Sequence, residues 1–248
     1  MKNAFLLLPI FLLLGCIERP PEFKHVECNT ENTNSNGNLR KVFKPCREYI
    51  FTAQYWDQDY NLISSERIWM MATGNGWKVQ PELQDEIIIQ YAFDSAKMDE
   101  IEKFNINPEV MHWSREEVTG IIEDVGRTWM HPFRSNQYLF TQVAPFPEVM
   151  LPLKLGVVWN SSLRIHDGWG LWAHSTLEDN YEVVDFEVVQ LEFGDFDAWH
   201  IRAITTAEFG TSVHDFWYNE EYGFIKMFIK NYAGQILQLQ LSEVKEPK

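Results

Sequence analysis

From residue 47 onward apolar and polar side chains alternate with a period of two, the pattern of strands with one face buried. Arg47 to Tyr55 sets Tyr49, Phe51, Ala53 and Tyr55 on one face and Thr52 and Gln54 on the other, and the polar cluster Asp57 to Asn61 then reads as a turn. Ser65 to Ala72 is the next strand. Thr73-Gly74-Asn75-Gly76 predicts a tight reversal into Trp77 to Gln80, because Asn-Gly readily supplies the positive φ of a hairpin turn. Glu86 to Phe93 follows as a strand, and Ser95 to Phe104 places Met98, Ile101 and Phe104 at helical spacing, which predicts a short helix. Ser114 to Glu117 fits a capping box. Val118 to Ile122 and Arg127 to Met130 are rich in residues that suit strands, so a hairpin around Glu123 to Gly126 is favoured over a second helix.

Four prolines, at 132, 145, 147 and 152, then interrupt the pattern. Proline cannot donate to a ladder, so this stretch is expected to be an extended crossing segment between two halves of one sheet. Beyond Leu155 the alternation is clearest: Tyr181 to Leu191, Ala198 to Thr206, Ser212 to Tyr218, Phe224 to Tyr232 and Gln235 to Val244 read as consecutive strands. The last sets Leu237, Leu239 and Leu241 against Gln238 and Gln240, one face to the core and one to water. Even spacing and tight turns predict an antiparallel meander, and no repeat of 20 to 50 residues suggests a propeller or solenoid. The expected fold is all-β with a minor helix, a curved antiparallel meander forming a half-barrel or open barrel, with residues 47–248 as a single domain.

Ahead of this body the pattern changes. Met1-Lys2-Asn3 precedes an apolar run from Ala4 to Leu14 that is too short to span a bilayer, which takes about 20 residues, so residues 1–15 read as a secretory signal. Leu13-Leu14-Gly15-Cys16 resembles the lipobox of bacterial lipoproteins, whose cysteine is acylated, with palmitate among the fatty acids, and becomes the first mature residue. The resemblance implies a membrane anchor at Cys16, and Ile17 in place of Asp implies the outer membrane of the cell envelope. Residues 16–46 include Pro20-Pro21 and the polar run Asn29 to Asn38. That is too little apolar surface to offset ordering entropy, so they are expected to form a lipidated tether. Cys28 and Cys46 remain once Cys16 carries lipid. An oxidising compartment makes a disulfide the expectation, with two free thiols as the alternative.

Pro152 to Gly156 with Trp159, then Glu187 with Phe193-Gly194-Asp195-Phe196, and finally Trp217-Tyr218 with Tyr222 to Lys226, carry a resemblance of the C-terminal half to an uncharacterised family of exported bacterial β proteins related to the half-barrel lipoprotein carriers. It implies a strongly curved antiparallel sheet wrapped around a helix or loop, with an apolar groove and no known catalytic residues.

Composition narrows the chemistry. With 45% hydrophobic residues and ten tryptophans the chain can bury a sizeable core, unlike a disordered chain. Its formal charge is -15, and loss of Lys2 with the signal leaves 20 basic against 36 acidic residues, so phosphate backbones would repel it and nucleic acid is excluded as a partner. Within residues 47–248 the histidines His112, His131, His166, His174, His200 and His214 are scattered, with no metal-ligand spacing, so no metal or cofactor is expected. No nucleophile elbow or phosphate-cradling loop is present, and Glu220-Glu221 falls in a turn.

Two stretches stand apart. Trp129 to Arg134 sets an aromatic, His131 and Arg134 around Pro132, and Asp167 to Trp172 puts Trp169 and Trp172 on a glycine-rich loop. Trp129, His131, Arg134, Trp169 and Trp172 are therefore candidate ligand-binding residues for a sugar ring or an acyl chain, or else a plug for the open end of the sheet. The leading expectation is a non-catalytic envelope lipoprotein, held to the membrane through its N-terminal lipid, that binds an apolar small molecule or an envelope protein. The alternatives are an envelope hydrolase using His131, Arg134 and His214, and a structural subunit of an envelope complex.

Overall fold

The computed structural model describes residues 23, 26–31 and 40–247, so Cys16 and its signal lie outside the described residues. Twelve strands form one antiparallel sheet: β1 (Glu48–Trp56), β2 (Leu62–Gly76), β3 (Asp85–Tyr91), β4 (Glu116–Glu123), β5 (Arg127–Met130), β6 (Glu148–Met150), β7 (Val158–Arg164), β8 (Thr176–Leu191), β9 (Gly194–Ala207), β10 (Gly210–Asn219), β11 (Gly223–Lys230) and β12 (Ile236–Lys245). Neighbours run from β6 back to β1 and then from β12 down to β7, making a nearly closed barrel. Pairing of β1 with β12, Glu48 opposite Lys245, joins the two meanders. The two edges, β6 and β7, are consecutive in sequence, so the proline-rich stretch does separate two halves of one sheet. The Tyr181 hydroxyl donates to the Phe146 carbonyl at 3.1 Å, tying β8 to the chain just before β6.

Because every pairing is antiparallel, the connections alternate between two rims. The chain enters β1 at one of them, the entry rim, which also carries connections 77–84, 124–126, 151–157, 192–193 and 220–222. The far rim carries 57–61, 92–115, 165–175, 208–209 and 231–235. Ser95–Phe104, expected as a helix, is a short run of 3₁₀ and α turns within the far-rim segment 92–115.

Two expectations are corrected at the entry rim. Asn75-Gly76 does not reverse the chain: β2 continues through Gly76, which pairs with Asp85, and the turn falls at 77–84, where Trp77 N–H donates to Gln84 O. Gly74 is needed for close approach instead, since a Cβ there would lie 2.3 Å from the Asn29 carbonyl.

The second correction concerns residues 26–31 and 40–46, whose polarity suggests tether but which pack onto the barrel. Val42 and Phe43 are in the core. Glu123 accepts the backbone N–H groups of Lys41, Val42 and Phe43 at 2.6, 2.9 and 2.8 Å. The fully buried Arg47 guanidinium donates to the carbonyls of Val42 and Glu221 and to both Glu246 oxygens. Arg40 bridges to Asp85 at 2.8 Å. Polar side chains are buried here because each meets a counter-charge or carbonyl from a distant strand. Cys28 and Cys46 form a disulfide. For a loop of this length chain entropy assigns it about 3 kcal/mol. It clamps residues 26–31 to the rim, where Asn29 N–H also donates to Thr73 O at 2.8 Å.

The inner face is lined by one side of each strand, including Phe51, Ile68, Ile89, Ile201, Phe216 and Leu239, all in a single core. No helix among the described residues is long and apolar enough to cross a membrane.

Candidate functional site

The natural place for a ligand in a curved sheet is its concave face. Here the chain fills that face itself. Residues 135–149 are all buried, with Asn136–Val143 wound as a 3₁₀ helix. This segment touches strands all round the barrel. Its neighbour Phe133 packs edge-on against Phe51 of β1 (5.2 Å), while Phe140 is tilted against Tyr55 of β1 (5.6 Å) and Tyr138 against Tyr91 of β3 (6.1 Å). His214 Nδ1 of β10 donates to Pro145 O at 2.7 Å. A cleft lined in part by Tyr55, Phe104, Gln137, Phe140 and Gln235 remains near the far rim. Its cavity volume of about 10 Å³ holds no more than a water molecule, far below the 300 Å³ or more usual for a small-molecule site.

The five residues singled out by sequence fall into three places. His131 sits among aromatic rings, with Trp129 at 4.6 Å, Trp77 at 5.3 Å and Phe146 at 5.8 Å. Burial, and then the charge of Arg134, push its pKa down to about 3, so the imidazole is neutral and too weak a base to take a proton at neutral pH. Arg134 donates from Nε to Glu117 at 3.1 Å and from its terminal nitrogens to Gln142 and Thr119, and its guanidinium lies 5.8 Å from the Trp169 ring. Glu117 also accepts from Tyr91 and Ser135 at 2.9 and 2.7 Å, so Arg134 clamps the start of the inner segment to β4.

At the far rim, Trp169 gives its carbonyl to Asn107 Nδ2, and Trp172 is fully buried with Nε1 donating to Tyr232 Oη at 3.0 Å. Thr119 Oγ1 lies 2.9 Å from His131 Nδ1 and 3.2 Å from the Arg134 guanidinium, and so links the two. His214 stands elsewhere, wholly buried, its pKa lowered to about 4 chiefly by that burial. His131, Arg134 and His214 therefore do not form a proton-transfer constellation.

A set of buried carboxylates that belongs to no sequence motif surrounds the inner segment. Burial raises the pKa of Glu148 and of Asp179, with the charge of each neighbouring carboxylate a smaller cause, and both side chains are shut off from solvent. Asp179 could have been noticed, since it lies between Leu177 and Tyr181 on the inward parity of β8.

Glu66 is the most perturbed. Tyr138 Oη donates to its Oε2 at 3.0 Å and Gln137 Nε2 donates to the same oxygen. Burial outweighs these bonds and the charge of Lys97, and carries its pKa up to about 7. A carboxyl whose folded pKa is raised stabilises the fold below its unfolded value, and that contribution is lost as pH rises through the folded value. The window is therefore pH 4.5 to 7, and the full swing is on the order of 3 kcal/mol. Glu66→Gln keeps an oxygen for both donors without the charge. It is expected to be more stable than the parent at pH 8 and to lose that advantage by pH 5. Thermal unfolding of both proteins across this range checks it, and a difference independent of pH would count against a buried ionisable Glu66.

No family model matches the sequence, and no curated protein matches it. Three solved structures are similar in fold. One is a protein of Bacteroides fragilis described as exported, with a YmcC-like fold, at 11% identity and a TM-score of 0.48, covering 83% of this chain and 98% of its own. A second, described as a lipoprotein of Parabacteroides distasonis, has 10% identity and a TM-score of 0.45 over 82% of this chain and 97% of its own. The third, the hypothetical lipoprotein YmcC of Escherichia coli, has 11% identity and a TM-score of 0.34 over 86% of this chain and 92% of its own.

Proposed function

We propose that the protein is a non-catalytic lipoprotein of the bacterial outer membrane, anchored through an acylated Cys16, whose barrel is a rigid body presented to an envelope protein. The observation that supports this over capture of an apolar small molecule is the filled interior: residues 135–149 take the space an acyl chain would need. Recognition then falls to the outside of the barrel. The anchor rests on Leu13-Leu14-Gly15-Cys16. Two measurements test the reading. Metabolic labelling with a fatty-acid probe is expected to mark the parent and not Cys16→Ser; equal labelling of both would sink the anchor. Native mass spectrometry of the purified protein after incubation with envelope lipid extract is expected to show no bound species. A stoichiometric lipid adduct would restore the apolar-ligand reading.

A further inference from the structure

Large apolar side chains exposed to solvent are unevenly distributed among the described residues. Val79 and Leu83 in the β2–β3 connection, Val125 in the β4–β5 turn, Met150 and Leu155 flanking the β6–β7 crossing, and Val188 near the end of β8 all lie at or close to the entry rim. Val125 is 80% exposed, and Val79, Leu83 and Leu155 are each close to 70%. The far rim shows Tyr60, Leu62 and Leu171, with the less exposed Val118 and Ile204 on the strands beside it. Single exposed apolar residues are ordinary, and turn tips usually carry polar ones. A set drawn from successive connections of one rim is a surface.

An independent observation says what that surface faces. The chain leaves the barrel at this same rim, held by the Cys28–Cys46 disulfide and by the Asn29 to Thr73 hydrogen bond. Only eleven residues separate Cys16 from Cys28, a reach of about 40 Å at full extension, whereas a leash running to Cys46 would reach about 100 Å. The bridge thus keeps the anchor short and fixes its exit at the apolar rim. Membrane binding strengthens with the apolar area buried, so exposed apolar tips add to the attachment that acyl chains supply.

We propose that the entry rim rests on the bilayer, with Val79, Leu83, Val125 and Leu155 among the lipid headgroups, so that the barrel stands on the membrane with its far rim outward. The proposal depends on the anchor reading given above. On this rim exposed Glu82, Glu192, Asp195, Glu220 and Glu221 outnumber exposed Lys41, Lys78 and Lys154, so its net charge disfavours anionic lipid and the occupant is a zwitterionic lipid surface.

The test uses the full lipidated protein in phosphatidylethanolamine–phosphatidylcholine vesicles containing nitroxide lipids. A fluorophore is placed singly at Val125→Cys, Leu155→Cys, Tyr60→Cys or Leu171→Cys, and the oxidised native pair takes up none. Quenching at 125 and 155 is expected to exceed that at 60 and 171 at least twofold. Uniform quenching, or none, overturns the proposal, as does photo-crosslinking from position 125 to a protein rather than to lipid in intact cells. Because Val125→Glu with Leu155→Glu alters exposed positions only, that double variant should fold, keep its fatty acid, and lose quenching of a label at Leu83→Cys. Quenching unchanged by it would also overturn the proposal. Mass measurement of Cys16 on the same sample separates the two failures: no acyl group sinks the anchor, and an acyl group without rim quenching sinks the docking alone.

Discussion

Replacing Glu123 with Ala is expected to destabilise the protein by about 3–5 kcal/mol, because it strands three backbone N–H groups that one buried carboxylate now accepts. For a domain of this size that is a fall in Tm of roughly 10 °C. The effect should be local before it is global. Lys41, Val42 and Phe43 form the strap that holds the chain to the entry rim, so amide exchange at Val42 and Phe43 should accelerate well ahead of exchange in β10 and β11. Glu123→Gln retains an oxygen for the Lys41 and Val42 donors and sets an amide against Phe43, so it should cost about half as much. A loss under about 1 kcal/mol for the Ala variant would mean that water satisfies the strap and that the carboxylate is incidental.

Phe140→Ala is expected to be equally damaging and more informative. The ring is buried inside the barrel 5.6 Å from Tyr55, and truncating such a residue costs about 3–5 kcal/mol through lost burial and the cavity left behind. It also removes part of the plug beside the far-rim cleft. A cavity of this kind, lined by apolar groups, takes up small apolar molecules. Benzene should therefore raise the Tm of the variant and leave that of the parent unchanged. If benzene stabilises the parent, the native interior has room for a ligand and the partner-protein reading loses its main support.

The strands were largely legible, and for a simple reason. A period of two is written in neighbouring residues, so β8 through β12 can be read from runs such as Leu237, Gln238, Leu239, Gln240 and Leu241 without knowing what they pack against. The hairpin of β4 and β5 was favoured correctly over a capping box because Val, Ile and Trp fit a pleated surface. The local signal misled at Asn75-Gly76, where β2 is carried past a favoured turn by its pairing with β3. It misled again at residues 40–46, whose Arg40, Lys41 and Lys44 look like tether and which lead into Arg47 just before β1. They fold because Asp85, Glu123 and Glu246, as many as 199 residues away, neutralise or cap what they bury.

The candidate site was less legible than the fold. Trp129, His131, Arg134, Trp169 and Trp172 are aromatic and cationic groups near rigid turns, and the structure gives each a partner in the fold: a ring cluster around His131, an Arg134 clamp on Glu117 that also faces Trp169, and a buried Trp172 beneath the far rim. Residue type told that these side chains would have partners. It did not tell which, and a tryptophan that seals a rim has the same local neighbours in sequence as one that grips a sugar.

The sequence by itself determined the alternation that makes this an antiparallel β protein, the net acidity of the chain, and the four residues ending at Cys16 from which an anchor is inferred. Only the tertiary structure decided that the proline-rich stretch fills the barrel, that Glu48 meets Lys245 to join two meanders, and that a disulfide brings the exit of the chain to an apolar rim. Periodicity depends on adjacent residues, whereas filling, closure and exit depend on contacts between positions up to two hundred apart, and a linear pattern carries no record of those.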